Sequence, residues 1–320
     1  MNFEALANEP RLLIEARLRP VQGSRFQPTG FPDLGAAEYD AGDGTRMVLL
    51  ESAQSMANRL ESVCWDEGAG DLVPALQGLP YVKSRVAAGV ETNSILEAHR
   101  LNSPYIKNSG GFAAIEEAIG YVGGTPFDRR KLASALLRFD PNSLIHGIFL
   151  EKVGGVVRLP RTLSSFIEAK NVNVAPSGGV KFDRVQPETS NKEGTASYGK
   201  ANEGYGNVPY HRDEYTAERI DAFFNLDLAL IRGLGLPADA QALLTALALF
   251  KIQRFLQRGL RLRTACDLDV ESVTVTRPST FELPSLEALE GALPSLLDAC
   301  TPHFASPAVT EVTYDKKKKS

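Results

Sequence analysis

The chain has 320 residues, 43% hydrophobic and 23% charged, which is enough to bury a substantial core and too apolar for disorder throughout. Its 35 Lys and Arg against 39 Asp and Glu give a formal net charge of −4, which excludes a protein that coats nucleic acid with its whole surface. Cys64, Cys266 and Cys300 form no CxxC pair, so neither a disulfide framework nor a zinc ribbon is expected, and with no apolar run of ~18 residues a soluble cytoplasmic protein is the expectation.

Leu12, Ile14, Ala16 and Leu18 alternate with Arg11, Leu13, Glu15, Arg17 and Arg19, which predicts a strand with one charged face, ended by Pro20. The Gly- and Pro-punctuated segment 21–44 reads as a loop. MVLLESAQSMANRLESVCWDE then reads as turning helical, with Met56, Leu60, Val63 and Cys64 on one face. Residues from about 68 to 125 read as an insertion with some helix near Ser94 to Arg100 and Phe112 to Gly120. DRRKLASALLRFD predicts a short amphipathic helix starting at Asp128, with Leu132, Leu136, Leu137 and Phe139 inward. SLIHGIFLEKV and RTLSSFIEAKNVNV read as two strands joined at Gly154 and Gly155.

From Arg184 to Arg212 there are almost no aliphatic side chains, so this stretch cannot bury itself. Its Tyr198, Tyr205 and Tyr210, with Lys192, Lys200, His211 and Arg212, suit packing on a nucleic acid or a neighbouring subunit; a plain surface loop has the same composition. A strand-like run from about Glu218 to Ile231 follows, then a strong helix in ADAQALLTALALFKIQRFLQRGL with Gly259 just past its end. RLRTACDLDVESVTVTRP predicts one long strand, alternating through Leu262, Thr264, Cys266, Leu268 and Val270, and PSLEALEGALPSLLDAC a final helix interrupted at Pro294. The element order gives an α+β protein whose core accommodates a βαββαβ unit, and the closing KKKKS reads as a disordered tail.

Enzyme signatures are thin. The chain has no G-x-S-x-G, no G-x-x-x-x-G-K-[ST] and no H-E-x-x-H, and His99, His146, His211 and His303 sit in four separate segments without a ligand partner at i+3 or i+4. Asp33, or the pair Asp267 and Asp269 on one strand face, supplies carboxylates for Mg²⁺ but no third ligand, so exposed edge charges are the simpler account. No metal site, cofactor or catalytic residue is therefore expected.

Charge distribution says more than the sum. Arg11, Arg17, Arg19 and Arg25 face only Glu15 between residues 11 and 30, and Lys251, Arg254, Arg258, Arg261 and Arg263 face no acidic residue at all, while Thr264 to Asp315 is strongly acidic. Such segregation permits one basic face on an acidic body, or charged faces that meet copies of the same chain; solvated helix faces explain it equally well. Arg17, Arg19, Gln22, Ser24, Arg25 and Gln27 gather at the end of the first strand, beside the flexible backbone of Gly23, and Ser52, Gln54 and Ser55 open a helix whose positive end suits a phosphate. RTACDLDV and ESVTV lack the aromatic pattern of ordinary RRM base stacking.

The strings LIEARLRPVQGSRFQPTGFPDLGAAEY, LLESAQSMANRLESVCWDE, GLPYV and TNSILEAHRLNSPYI, in this order and spacing, resemble the backbone subunit of the type I-G (formerly I-U) CRISPR surveillance complex, a RAMP superfamily member. The resemblance continues through FDPNSLIHGIFLEK, FIEAKNV and the closing helical region, so it spans nearly the whole chain. It implies one RAMP domain over 1–320: an RRM-like (ferredoxin-like) βαββαβ palm with a fingers-like insertion and a flexible thumb. The palm opens with a strand, loop and helix over 11–66, the insertion takes 67–127, palm strands take 128–183 and the thumb 184–212. Further palm strands and helices fill 213–300, with a C-terminal segment and basic tail over 301–320.

The resemblance also implies CRISPR RNA as ligand, target DNA reached by guide pairing, and copies of the chain in a helical filament. A large subunit, a repeat-handle-binding subunit and a recruited helicase-nuclease complete the implied partners, with no membrane. The guide grip carries over to Arg17, Arg19, Gln22, Gly23, Ser24, Arg25, Phe26 and Gln27, and to Ser52, Gln54, Ser55, Asn58 and Arg59. Arg100, Asn102 and Lys107 in the insertion, Lys170 and Asn171 after a palm strand, and Tyr210, His211 and Arg212 at the thumb complete the set. Two competitors stay open: a ribonuclease cutting target RNA through Asp33 in the palm loop, and a purely protein-binding structural subunit.

Overall fold

The computed structural model describes residues 3–31, 33–86, 89–155, 157–181, 189–190, 196–197 and 208–315. Its centre is a seven-stranded antiparallel sheet built on β1 (Arg11–Pro20). Leu12, Ile14, Ala16 and Leu18 of β1 are buried, while Arg11, Arg17 and Arg19 are exposed, as the alternation requires. Next come β2 (Glu38–Asp40), β3 (Arg46–Glu51) and α1 (Ala53–Ser62). Then follow β4 (Tyr81–Arg85), α2 (Phe112–Ile119), α3 (Arg129–Phe139), α4 (Asn142–His146) and a hairpin of β5 (Ile148–Leu150) and β6 (Val157–Leu159). The chain continues through β7 (Leu163–Lys170), β8 (Asn173–Lys181), β9 (Val208–Thr216), β10 (Arg219–Asp227) and α5 (Ala238–Gln257). It closes with β11 (Leu260–Arg263), β12 (Cys266–Arg277), α6 (Leu286–Cys300) and β13 (Val309–Thr313).

Across the sheet the order is β11-β12-β1-β10-β7-β3-β2. Ala16 of β1 pairs with Ala222 of β10, which pairs in turn with Ile167 of β7, so three buried side chains line up across the centre. α1 packs on β7 and α5, and α6 packs on α5. α5 is apolar nearly all round, with Leu243, Leu244, Leu247, Phe250 and Ile252 fully buried, so it lies inside the core and not along its surface. The opposite sheet face carries Phe166 stacked on Phe223, ring centroids 5.0 Å apart. The insertion shares the same core through Leu76, Leu79, Leu101 and Ile115, and β13 runs parallel to β4, fixing the C-terminal segment to it.

Several sequence expectations change. The MVLL stretch forms β3, and the helix begins only at Ala53 after the Ser52 cap. SLIH is helical, and the segment expected as two strands contains the β5–β6 hairpin, β7 and the start of β8. The expected run from Glu218 to Ile231 is strand only to Asp227, whose carboxylate caps a short helix, Leu228–Gly233. The single long strand near the end is a hairpin, split by Ala265 at φ 60°. Pro294 is exposed, so α6 runs through it with the lost hydrogen bond on the solvent side. Near Ser94 to Arg100 the chain turns, with a short 3-10 helix at Arg100–Asn102 in place of the expected helix. Most of the thumb at 184–212 lies outside the described residues, as does the lysine tail.

Candidate nucleic-acid interface

The end of β1 is where the predicted contacts gather. The loop after Pro20 is pinned at both ends: Val21 N–H donates to Asp267 O at 3.0 Å, and Phe26 exchanges backbone hydrogen bonds with Tyr215, each 2.9 Å. Phe26 is 1% exposed, so it anchors the loop from inside and its ring is closed to a ligand. What stays outside is Gln22, Gly23, Ser24 and Arg25, with Gly23 at φ 68° where a side chain is strained. These residues wall a cleft of about 710 Å³ whose other side is Arg212, Glu214, Arg258, Gly259 and Arg261. Two neighbouring clefts share its walls: one adds Arg59 and Ser62 beyond Arg258, the other Gln27, Tyr215 and Arg263 beyond Arg212. The result is a groove along the top of β1, β9 and β11.

The groove is less positive than its arginine count. Arg25 lies 3.5 Å from Glu214, which Arg212 also contacts, Arg19 lies 3.6 Å from Asp269, and Arg261 lies 3.7 Å from Asp267. Arg17 is 4.0 Å from Asp221 on the open sheet face. The Arg19–Asp269 and Arg261–Asp267 pairs are exposed on both sides, so each is worth about 0–1 kcal/mol and a phosphate can compete for the arginine, whereas Glu214 and Asp221 are buried carboxylates beside half-exposed arginines. Arg258 has no carboxylate partner among the described residues. It was legible only as part of the acid-free run from Lys251 to Arg263, and it is absent from the contact set drawn from the resemblance.

Other predicted contacts are committed to structure. Arg59 donates to Glu51 Oε1 at 2.8 Å and to Leu262 O, while Arg263 donates to Glu51, to Leu50 O at 2.8 Å and to Gln27 O at 3.1 Å. Glu51 is 1% exposed, so this carboxylate with two guanidinium groups locks β3, α1 and β11 together at the groove floor. Ser52 Oγ accepts from Ser55 N–H at 3.2 Å and Ser55 Oγ donates to Ser52 O at 3.1 Å, so both hydroxyls serve the helix cap. Asn58 Oδ1 is buried without a partner.

The structure places the remaining predicted residues away from this groove. Arg100 is 5% exposed and forks onto Glu61 at 2.5 and 2.8 Å. Asn102 accepts from Lys107 at 3.3 Å. Lys170 ends β7, and Asn171, at φ 51°, donates to Glu218. Gln54 accepts from Arg161 at the start of α1. On β9, Tyr210 is exposed and His211 lies 3.6 Å from Asp213. Lys251, a member of the basic run, is fully buried: it donates to Asn142 Oδ1 and sits 2.8 Å from His146 Nε2. The run therefore does not form one basic face.

Asp33 is exposed in the turn of a two-residue hairpin, Gly30–Phe31 with Gly35–Ala36. Among the described residues, no three His, Cys, Asp or Glu side chains are grouped so as to hold a metal ion, and no helix is long and apolar enough to cross a membrane.

The model of a family described as CRISPR-associated protein GSU0053 (Cas_GSU0053) matches residues 12–174, just over half the chain. The chain belongs to this family. The match runs from the second residue of β1 into β8 and so includes the β1 loop, Glu51 and α1. No curated protein matches the sequence significantly. Among solved structures, a chain from "CRISPR RNA-guided surveillance complex, pre-nicking" is 12% identical with a TM-score of 0.40, covering 91% of this chain and 87% of that one. A chain from a second "CRISPR RNA-guided surveillance complex" is 13% identical, with a TM-score of 0.36 and coverage of 88% and 75%. Csc2 of Thermofilum pendens is 11% identical, with a TM-score of 0.30 and coverage of 93% and 79%. Superpositions this loose transfer no role.

Proposed function

We propose that this CRISPR-associated chain is a guide-RNA-binding backbone subunit of a type I-G surveillance complex, repeated along the RNA and holding it for pairing with target DNA. The groove at the end of β1 carries the reading. It combines an exposed Gly-containing loop, exposed arginines in ion pairs and Arg258, unpaired among the described residues, a set that meets phosphates without reading bases. The central order β12-β1-β10-β7, antiparallel and with α1 and α5 packed against it, suits the βαββαβ RRM-like palm of a RAMP protein. In this reading the large subunit, the handle-binding subunit and the helicase-nuclease are partners in the cytoplasm, and the chain itself cuts nothing.

The deciding experiment is size-exclusion chromatography of the full chain with CRISPR RNA, read at 260 and 280 nm, with and without ribonuclease. RNA-dependent oligomers whose formation weakens steeply with salt support the proposal. Assembly that survives ribonuclease points to a protein-only subunit, and metal-dependent RNA cleavage lost in Asp33→Ala points to the nuclease.

A further inference from the structure

A second cleft, of about 760 Å³, lies at the other end of α1. Gln54 at the helix start, the segment 98–102 and the β5–β6 hairpin with its flanks wall it. Gly147 makes the hairpin base possible: at φ +77° its absent Cβ would lie 3.0 Å from Arg161 N and Leu159 O. Arg100 donates to Gly147 O at 3.2 Å and Arg161 to Ala53 O at 2.8 Å, tying the hairpin to the insertion and to α1. The walls are therefore held by core contacts and do not depend on a ligand for their shape.

The lining has the chemistry of nucleotide recognition. Phe149 and Arg158 are directly opposite in the hairpin register and both are exposed, so an aromatic ring and a guanidinium stand side by side on one face. Arg129 and Arg158 have no carboxylate partner among the described residues, and Arg161 is bonded to neutral oxygens of Ala53 and Gln54. Glu151 is the one carboxylate in the lining. At the floor, His146 is 1% exposed and its Nε2 lies 2.8 Å from Lys251 Nζ. Nδ1 on the other side of the ring is buried and has no hydrogen-bond partner among the described residues. Burial first, then the charges of Lys251, Arg100 and Arg161, push the imidazole well below its ordinary range and keep it neutral.

We propose that this cleft binds one nucleotide, free or as a unit of a single strand, with its phosphate on Arg129, Arg158 and Arg161 and its base on Phe149. The site is separate from the groove at the end of β1, although Gln54, Arg100 and Asn102 of the predicted guide contacts line it. AMP, adenosine and inorganic phosphate are the probes, titrated into the full chain and followed by isothermal calorimetry. AMP is expected to bind more tightly than adenosine or phosphate alone. Arg158→Glu should weaken it about tenfold or more and Phe149→Ala several-fold, while Arg258→Glu in the guide groove leaves it unchanged. Thermal unfolding of each variant checks the fold, since both substituted side chains are exposed. A trinucleotide that displaces AMP identifies a strand as the source, and one that does not identifies the free nucleotide. Absence of AMP binding at millimolar concentration, or binding indifferent to Arg158→Glu and Phe149→Ala, overturns the site. Loss of guide binding in Arg258→Glu with AMP binding intact shows the two readings to be independent.

Discussion

The clefts at the two ends of α1 hold arginines in opposite electrical states. At the end of β1, Arg25, Arg212 and Arg261 each meet a carboxylate, supplied by Glu214 and Asp267 from later strands, and Arg258 alone does not. At the other end, Arg129 and Arg158 meet none among the described residues, and Arg161 is held by neutral oxygens. The basic cluster that stands out along the sequence is thus the more neutralised one in space. Positive charge free to meet a phosphate is what remains after distant strands have delivered their carboxylates, and a linear count cannot show that.

Beneath the second cleft lies a buried ion pair, Arg100 with Glu61, whose disruption gives the largest effect expected here. Arg100→Met strands Glu61 in the core, and urea unfolding should show a loss of about 3–5 kcal/mol near pH 8. A loss below about 1 kcal/mol would mean that the second cleft does not depend on this pair for its walls. Glu61 also sets a pH signature. Burial outweighs the pull of Arg100 and raises its pKa to about 7, and burial likewise raises Asp140 to about 6 despite its bond from Ser143. A carboxyl whose pKa is higher folded than unfolded binds more protons when folded, so its stabilising contribution is complete below the unfolded value near 4.5 and is lost as pH rises toward 7. Glu61→Gln should therefore gain on the wild type between pH 4.5 and 7 in unfolding experiments; parallel curves would show that Glu61 stays ionised throughout.

The guide groove should respond more modestly. Arg258→Glu, which reverses the unpaired charge, is expected to weaken RNA binding about tenfold at low salt and to lower the salt slope, measured by filter binding across a salt series. Arg19→Ala and Arg25→Ala should each cost less, because their ion pairs already absorb part of the charge, and should weaken all RNA sequences alike. Equal losses for all three would erase the distinction between paired and unpaired arginines. The smallest effect belongs to Ser52→Ala, which removes the α1 cap and should cost about 1 kcal/mol in thermal unfolding while leaving RNA affinity unchanged. A selective loss of affinity would show that the Ser52 hydroxyl leaves the cap to meet phosphate.

Local periodicity and capping chemistry by themselves determined β1, the apolar α5, α2 at Phe112 and the start of α3, where Asp128 accepts from Arg130 and Lys131 N–H. Those signals depend on neighbours within one or two turns, so they are written where they act. Other outcomes needed partners far along the chain. MVLL becomes a strand because β7 and β2 pair on either side of it, not because of its own pattern. Ala265 turns the last strand pair by adopting positive φ, a conformation that composition alone does not announce. Lys251 and Arg100 look like surface charge in sequence and are buried because Asn142, His146 and Glu61, brought from other segments, supply their hydrogen bonds. Arg258 has no carboxylate beside it among the described residues. Which charges are spent and which remain available is a property of long-range packing, since a carboxylate neutralises an arginine only across a few ångströms of space.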